Sequence, residues 1–186
     1  MATAEARFRH YGYGKTTVAD IAEDLKVSTA YIYKFFDSKT AICEAVCGAT
    51  LARIDQALWA VARSDLPPPE RLARLYETLL GKSVELFFNE RKLHDMVHAA
   101  MDHDWGSVDR HKQAMRDTAA LVIAEGRASG DFESETPLED AAAATACTMI
   151  AFAHPGVLEH SIDRADMSES VRVVVQLVLR GLARRS

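Results

Sequence analysis

Cysteine is scarce in this chain, and its three copies are an odd number, which excludes the disulfide framework of a small secreted protein. Cys43 and Cys47 stand four apart, and Cys147 is distant. The near pair reads as reduced thiols on a packed helix face, with a redox switch as the alternative. Long apolar runs are also missing: none approaches the roughly 20 residues that span a bilayer. The opening Met1-Ala2-Thr3-Ala4-Glu5-Ala6-Arg7 lacks the apolar stretch of a secretory leader. A cytoplasmic protein with no membrane partner is expected. No nucleophile elbow, phosphate loop or metalloprotease motif occurs, and the aspartates and histidines form no catalytic arrangement, so the reading is not an enzyme.

An excess of basic charge is absent too. The net charge is −5, which argues against a protein coated for nucleic acid. The average hides an asymmetry. Residues 1–40 carry six basic against five acidic side chains, and the remainder sixteen against twenty-two. A near-neutral head on an acidic body fits a chain in which only the head meets phosphate. With 48% hydrophobic and 26% charged residues, the 186-residue chain can bury a core, so disorder is excluded.

What is present is helical periodicity. A first helix is expected from about Thr3 to Tyr11, and the glycine-rich Gly12-Tyr13-Gly14-Lys15 turns the chain. Val18, Ile21, Ala22 and Leu25 then keep the i, i+3, i+4, i+7 spacing of an amphipathic helix, capped by Thr16 or Thr17. Lys26-Val27 forms a tight turn, and Ser28 caps another short helix whose buried side carries Ile32, Tyr33 and Phe36. Longer helices are expected over about Thr40–Arg63, Pro69–Phe88, Arg91–Asp104, Ser107–Ser129, Pro137–Ala153 and Ser168–Arg184. Ser64-Asp65-Leu66-Pro67-Pro68-Pro69 separates two of them, and Pro155-Gly156 must stop or kink another. The fold class is therefore all-α. Residues 1–46 form a three-helix helix-turn-helix domain, and residues 47–186 a helical effector-binding and dimerisation domain.

Two short helices joined by a tight turn make a unit that braces on DNA with the first and reads the major groove with the second. Val18, Ile21, Ala22, Leu25, Val27, Ile32 and Phe36 supply its inner face; Thr17, Ser28, Thr29, Tyr31, Tyr33, Lys34 and Lys39 supply an outer one. From Gly12 to Ala22, and then through Val27-Ser28-Thr29-Ala30-Tyr31-Ile32-Tyr33-Lys34-Phe35-Phe36-Asp37-Ser38-Lys39, the chain resembles the TetR/AcrR family of bacterial transcriptional regulators. The resemblance covers about Ala4 to Val46.

The resemblance implies that Thr17 binds a phosphate through its hydroxyl and backbone N–H. It implies that Ser28 caps the recognition helix and that Thr29 and Tyr31 meet base edges. Tyr33 and Lys34 would touch the sugar-phosphate backbone, Tyr33 having a core position as its alternative, and Lys39 would clamp another phosphate. There are departures. Lys26 stands where a glycine is usual, so either the turn avoids positive φ or Lys26 adopts it under strain. Ala30 replaces another glycine. The chain also begins almost at the motif, so either residues are missing ahead of Met1 or the family's N-terminal phosphate contacts are forgone.

A single helix of this size reads too few base pairs, so a homodimer on an inverted-repeat operator is expected. Val171, Val174, Val175, Val178, Leu179 and Leu182 form an apolar stripe, and Ala141 to Ala146 allow close helix approach. The resemblance implies an intersubunit four-helix bundle from these two helices, with packing inside the monomer as the alternative. Phe87, Phe88, Met96, Met101, Trp105, Met115, Met149, Phe152 and His154 suit either a core or an adaptable pocket. The resemblance implies an effector site there, and a repressor released by a small molecule, with no cofactor. Glu90, His94, His98 and Asp102 recur every fourth residue beside Asp95 and His103. His111, His154 or His160 could complete a metal site with His94 and His98, so a metal- or redox-sensing regulator is the rival reading.

Overall fold

Short hydroxyl side chains close the first turns of the three helices that matter most. Thr17 Oγ1 accepts from the Asp20 amide at 3.1 Å, Ser28 Oγ from Tyr31 at 3.2 Å, and Ser38 Oγ from Ala41 at 3.1 Å. Each cap satisfies an amide that its helix cannot, and removing one costs about 1 kcal/mol. In the computed structural model the described residues are 1–102, 105–154, 157 and 164–184, the side chains of 87–89, 101–102 and 164–166 excepted.

Nine helices lie among the described residues: α1 (Ala2–Tyr11), α2 (Val18–Leu25), α3 (Thr29–Ile32), α4 (Lys39–Ala62), α5 (Pro68–Asn89), α6 (Arg91–Asp102), α7 (Gly106–Ser129), α8 (Leu138–Ile150) and α9 (Arg164–Leu182). Strands are absent among those residues, apart from an isolated bridge between Phe132 and Ala183. The recognition segment is shorter than its periodicity predicts. Its α-helix is a single turn, continued by a tighter turn in which Ile32 O accepts from Phe35 and Phe36. α8 ends at Ile150, three residues before Ala153, and α9 starts four residues before Ser168. The expected break at Pro155-Gly156 lies outside the described residues.

α4 is the spine of the molecule, and it runs unbroken through the expected boundary at residue 46. Ile42, Cys43 and Val46 pack toward the N-terminal helices, while Leu51, Ile54, Leu58 and Ala62 join the core of the body. In that core Tyr76 is fully buried, and its hydroxyl donates to Thr145 O at 3.2 Å, tying α5 to α8. The buried Arg71 donates to Ala62 O at 2.7 Å and pairs with Glu125 at 2.6 Å, which joins α4, α5 and α7. Satisfying both groups matters, because an unpaired guanidinium or hydroxyl would be costly at such depth.

The N-terminal helices are tied to the body by charge. Arg53 and Arg9 both hold Glu5 at 2.8 Å, and Arg9 also reaches Glu90 at 2.9 Å. The Lys92 ammonium donates to the carbonyl of His10. Thus α4, α6 and the Glu90 junction that precedes α6 hold α1 to the body.

Candidate nucleic-acid interface and cavity

Thr17 and Asp20 form a reciprocal cap: the Thr17 amide donates to Asp20 Oδ2 at 2.8 Å while Thr17 Oγ1 accepts from the Asp20 amide. These bonds hold the Asp20 carboxyl below its ordinary range, so the box opens only on acidification below that range. The expected Thr17 N–H contact to phosphate needs revision for this reason. That amide already has a partner, and what Thr17 can offer a phosphate is its hydroxyl proton. Thr16 turns inward instead; it is buried, and its hydroxyl donates to Gly12 O at 2.9 Å.

Lys26 takes the left-handed conformation, with φ 56°, and lets Val27 N–H reach back to Ala22 O at 3.0 Å. The strain of a non-glycine residue here is on the order of 1 kcal/mol. The turn carries the chain from α2 into α3, leaving Ile32 buried and Ser28, Thr29, Tyr31, Tyr33 and Lys34 exposed. Of the two expectations for Tyr33, the core position is excluded: half its surface is accessible, at 50%.

Two members of the expected inner face are not inside. Leu25 is 44% exposed and Val27 36% exposed. Leu25 is the last residue of α2 and Val27 lies in the turn made at Lys26, and both side chains stand at the rim. With Met1, Ala4, Ile21, Tyr31, Ile32 and Phe35, Leu25 lines an apolar groove of about 100 Å³. Phe35 was not expected at the surface, yet it is 66% exposed, its ring edge-on to Tyr31 at 5.2 Å. The signal was Phe35-Phe36 itself, since two consecutive residues of a helical turn cannot both face inward. Phe36 takes the inner position.

Lys39 is half-buried, its ammonium 4.2 Å from the centre of the Tyr13 ring. A cation–π contact at such a site is worth about 0.5–1 kcal/mol, too little to keep the charge from a phosphate. Arg7 grips Asp24 with bonds of 2.6 and 3.0 Å, fixing α1 against α2.

In the body, a narrow cavity of about 30 Å³ lies between α4, α5, α6, α7 and the end of α8. That is room for about a water or two. Met115 and His154 line it as expected for a pocket. Met96, Trp105, Met149 and Phe152 do not; they are buried in the surrounding core, Phe152 against the Tyr76 ring at 6.4 Å. The side chains of Phe87, Phe88 and Met101 lie outside the described residues. The polar wall is instead Ser83, His94, His111, Lys112 and His154. His111 Nδ1 meets Asp55 Oδ1 at 2.5 Å, a link between α7 and α4.

The row Glu90, His94, His98 does not converge as a site. Glu90 bonds Arg9, His94 is buried against the cavity and Asp95 pairs with Arg91 at 3.1 Å. The side chain of Asp102, and His103 and His160 entirely, lie outside the described residues. Among the described residues no three ligand-type side chains stand together as a metal site would require. Cys43 and Cys47 are completely buried, and burial pushes their thiols up to about 12 and about 11. Thiolate is then a negligible fraction at neutral pH, which removes the chemistry a redox switch needs. Native protein treated with iodoacetamide at pH 8 should therefore carry adducts at the exposed Cys147 before either buried thiol, all three reacting only after denaturation. Mass spectrometry of the adducts reads this directly; rapid native labelling of Cys43 would restore the switch.

No helix among the described residues is long and apolar enough to cross a membrane. No curated protein sequence matches the chain significantly. Solved structures do. A TetR-family transcriptional regulator from Pectobacterium atrosepticum superposes with a TM-score of 0.77 at 20% identity, over 99% of this chain and 92% of that one. A transcriptional regulator from Cytophaga hutchinsonii gives 0.72 at 19% identity, over 98% and 96%. The regulator FadR of Bacillus subtilis, in complex with stearoyl-CoA, gives 0.68 at 16% identity, over 97% and 96%. At these identities the likeness is one of fold. The sequence itself matches two family models: bacterial regulatory proteins of the tetR family over residues 1–46, and the tetracyclin repressor-like C-terminal domain over residues 68–175. With the second match alone spanning more than half its length, the chain belongs to the TetR family of bacterial transcriptional regulators.

Proposed function

We propose that the chain works as a homodimeric, sequence-specific repressor that a small molecule releases from an inverted-repeat operator. The observation that carries the reading is the α3 segment, where Ile32 anchors a single capped turn and Thr29 and Tyr31 stand exposed at its front. In this reading Thr29 and Tyr31 meet base edges, and the Phe35 ring beside Tyr31 adds an apolar surface suited to thymine methyls. The Thr17 hydroxyl, Lys34, Tyr33 and Lys39 contact phosphates, aided by the positive end of the α2 dipole.

Dimerisation is supported by the outer face of α9, where Val173 and Leu177 are exposed beside half-buried Val174 and Val178. Part of the predicted stripe turns inward: Val171, Val175 and Leu182 are buried in their own chain. On α8 the exposed Ala144 and Cys147, with Ala151 just past its end, offer small side chains for close helix approach. An effector in the body is supported by the cavity and, in a relative of the same fold, by the stearoyl-CoA of FadR.

Selection of bound sequences from a random DNA pool tests the reading, the expected product being an inverted repeat with half-sites about one helical turn apart. Affinity should fall as salt rises. Lys39→Ala should weaken all sequences alike and lower the salt slope by about one per protomer. Tyr31→Ala should change the preferred sequence; an unaltered preference would remove Tyr31 from base reading.

A further inference from the structure

The cavity has a one-sided chemistry. Its apolar wall comes from Leu51, Ile54, Val97, Val108 and Met115, and every polar side chain among its described lining residues can donate: Ser83, His94, His111, Lys112 and His154. None of those lining residues is acidic. The nearest carboxylate, Asp55, has a side chain 20% exposed and is already bonded to His111, while the more open Asp95 stands 3.7 Å from His94 and Asp109 3.3 Å from Lys112. His94 and His111 are themselves buried, at 1% and 7% exposure. Two imidazoles at such depth favour an occupant that accepts hydrogen bonds, and a carboxylate is the group that can take the place Asp55 holds at His111.

We infer that this cavity takes a small, largely apolar carboxylate, its charged end at His111 and His94, and that it acts by displacing Asp55 from His111. The inference rests on reading the body as an effector domain, and it names the effector's class. Free volume of about 30 Å³ is too small for such a molecule, so entry must part the helices. Two of the walls that would move are the ones holding the DNA-reading head. α4 carries Asp55 and, through Arg53, the Glu5 ion pair; α6 carries His94 and, through Lys92, the bond to the His10 carbonyl. A ligand seated at both histidines therefore acts on the two elements that set the position of α1. Only a difference in affinity between the two arrangements can shift them, and the Asp55–His111 bond is a contact that one arrangement has and the other lacks.

Titration calorimetry of the full chain with octanoate, octan-1-ol and octylamine separates the charge from the tail. Octanoate should bind at least about tenfold tighter than the alcohol, and the amine weakest. His111→Gln should weaken octanoate about tenfold. Asp55→Asn, which removes the competing charge, should tighten octanoate several-fold and leave octan-1-ol unchanged, a split that loosened packing alone would not produce. Equal binding of alcohol and acid, preference for the amine, tighter binding of zinc ion than of octanoate, no binding of any probe, or weakening by Asp55→Asn would each overturn the inference. Retardation of the selected operator DNA, repeated with each probe, keeps two failures apart. If octanoate binds but leaves the DNA complex intact, the anion site stands and the effector reading falls. If octanol releases DNA as well as octanoate does, the effector reading stands and the carboxylate is wrong.

Discussion

Replacing Leu177 by Glu is expected to abolish operator binding while leaving each chain folded. Leu177 is 61% exposed, the most open large aliphatic side chain of α9, so the substitution removes little packing within its own chain. In a two-fold dimer built on this face, the same residue approaches the partner's face from both sides. Two carboxylates would then be desolvated near one another, a like-charge arrangement that costs several kcal/mol. A loss of about 3 kcal/mol in association lowers the dimer constant more than a hundredfold. A monomer keeps one half-site's contacts, and operator affinity falls with the dimer. Sedimentation of the variant should show monomer, its melting temperature should change little beyond the concentration-dependent part, and gel retardation of the selected operator should disappear. Cys147, on the exposed side of α8, should alkylate faster in the variant than in the parent, because the partner no longer covers it. A variant that remains dimeric and bound to DNA would move the interface elsewhere.

The parts of this molecule legible from sequence are those decided within a few residues. Ser28 announces a helix start because its hydroxyl needs an amide three residues on, and the structure closes that bond with Tyr31. For the helix before it the sequence left Thr16 or Thr17 as the cap, and Thr17 closes the bond with Asp20. At Lys26, where a glycine is usual, the sequence leaves open a turn without positive φ or a strained lysine, and the structure has the second. Leu25 and Val27 leave the expected inner face because the chain reverses at Lys26, directly between them. The cavity was legible least. Methionines and aromatics suited a core or a wall; Met96, Trp105, Met149 and Phe152 fill the core, and the wall is polar where distant segments meet. Asp55 and His111 are 56 residues apart, Arg9 and Glu90 are 81 apart, and neither bond follows from local spacing. The regular row Glu90, His94, His98 left a metal site, completed from another helix, as a rival reading. Its members face different neighbours, Glu90 toward α1 and His94 toward the cavity.

Gly126→Ala should destabilise the chain by about 2–4 kcal/mol, against the ordinary sign of that change. Glycine inside a helix costs up to about 1 kcal/mol relative to alanine, so an open position would gain stability from the substitution. Gly126 is not open. A Cβ there would stand 2.2 Å from Cδ2 and 2.5 Å from Cε2 of Phe132, whose ring is 3% exposed. Since the ring cannot be compressed, it must leave, and losing a buried phenylalanine costs about 3–5 kcal/mol. The consequence reaches further along the chain. Phe132 bridges Ala183, and the Glu133 amide donates to Leu182 O at 2.8 Å, so this loop pins the end of α9, the helix whose outer face is assigned to the dimer. At about 2–4 °C per kcal/mol for a chain of this size, melting should fall by roughly 5–15 °C. The double variant decides the cause. With Phe132→Ala already in place, the clash is gone and only the helix preference remains, so Gly126→Ala should then stabilise. A second loss of stability in that background would mean that α7 itself, rather than the ring lodged against it, requires the glycine.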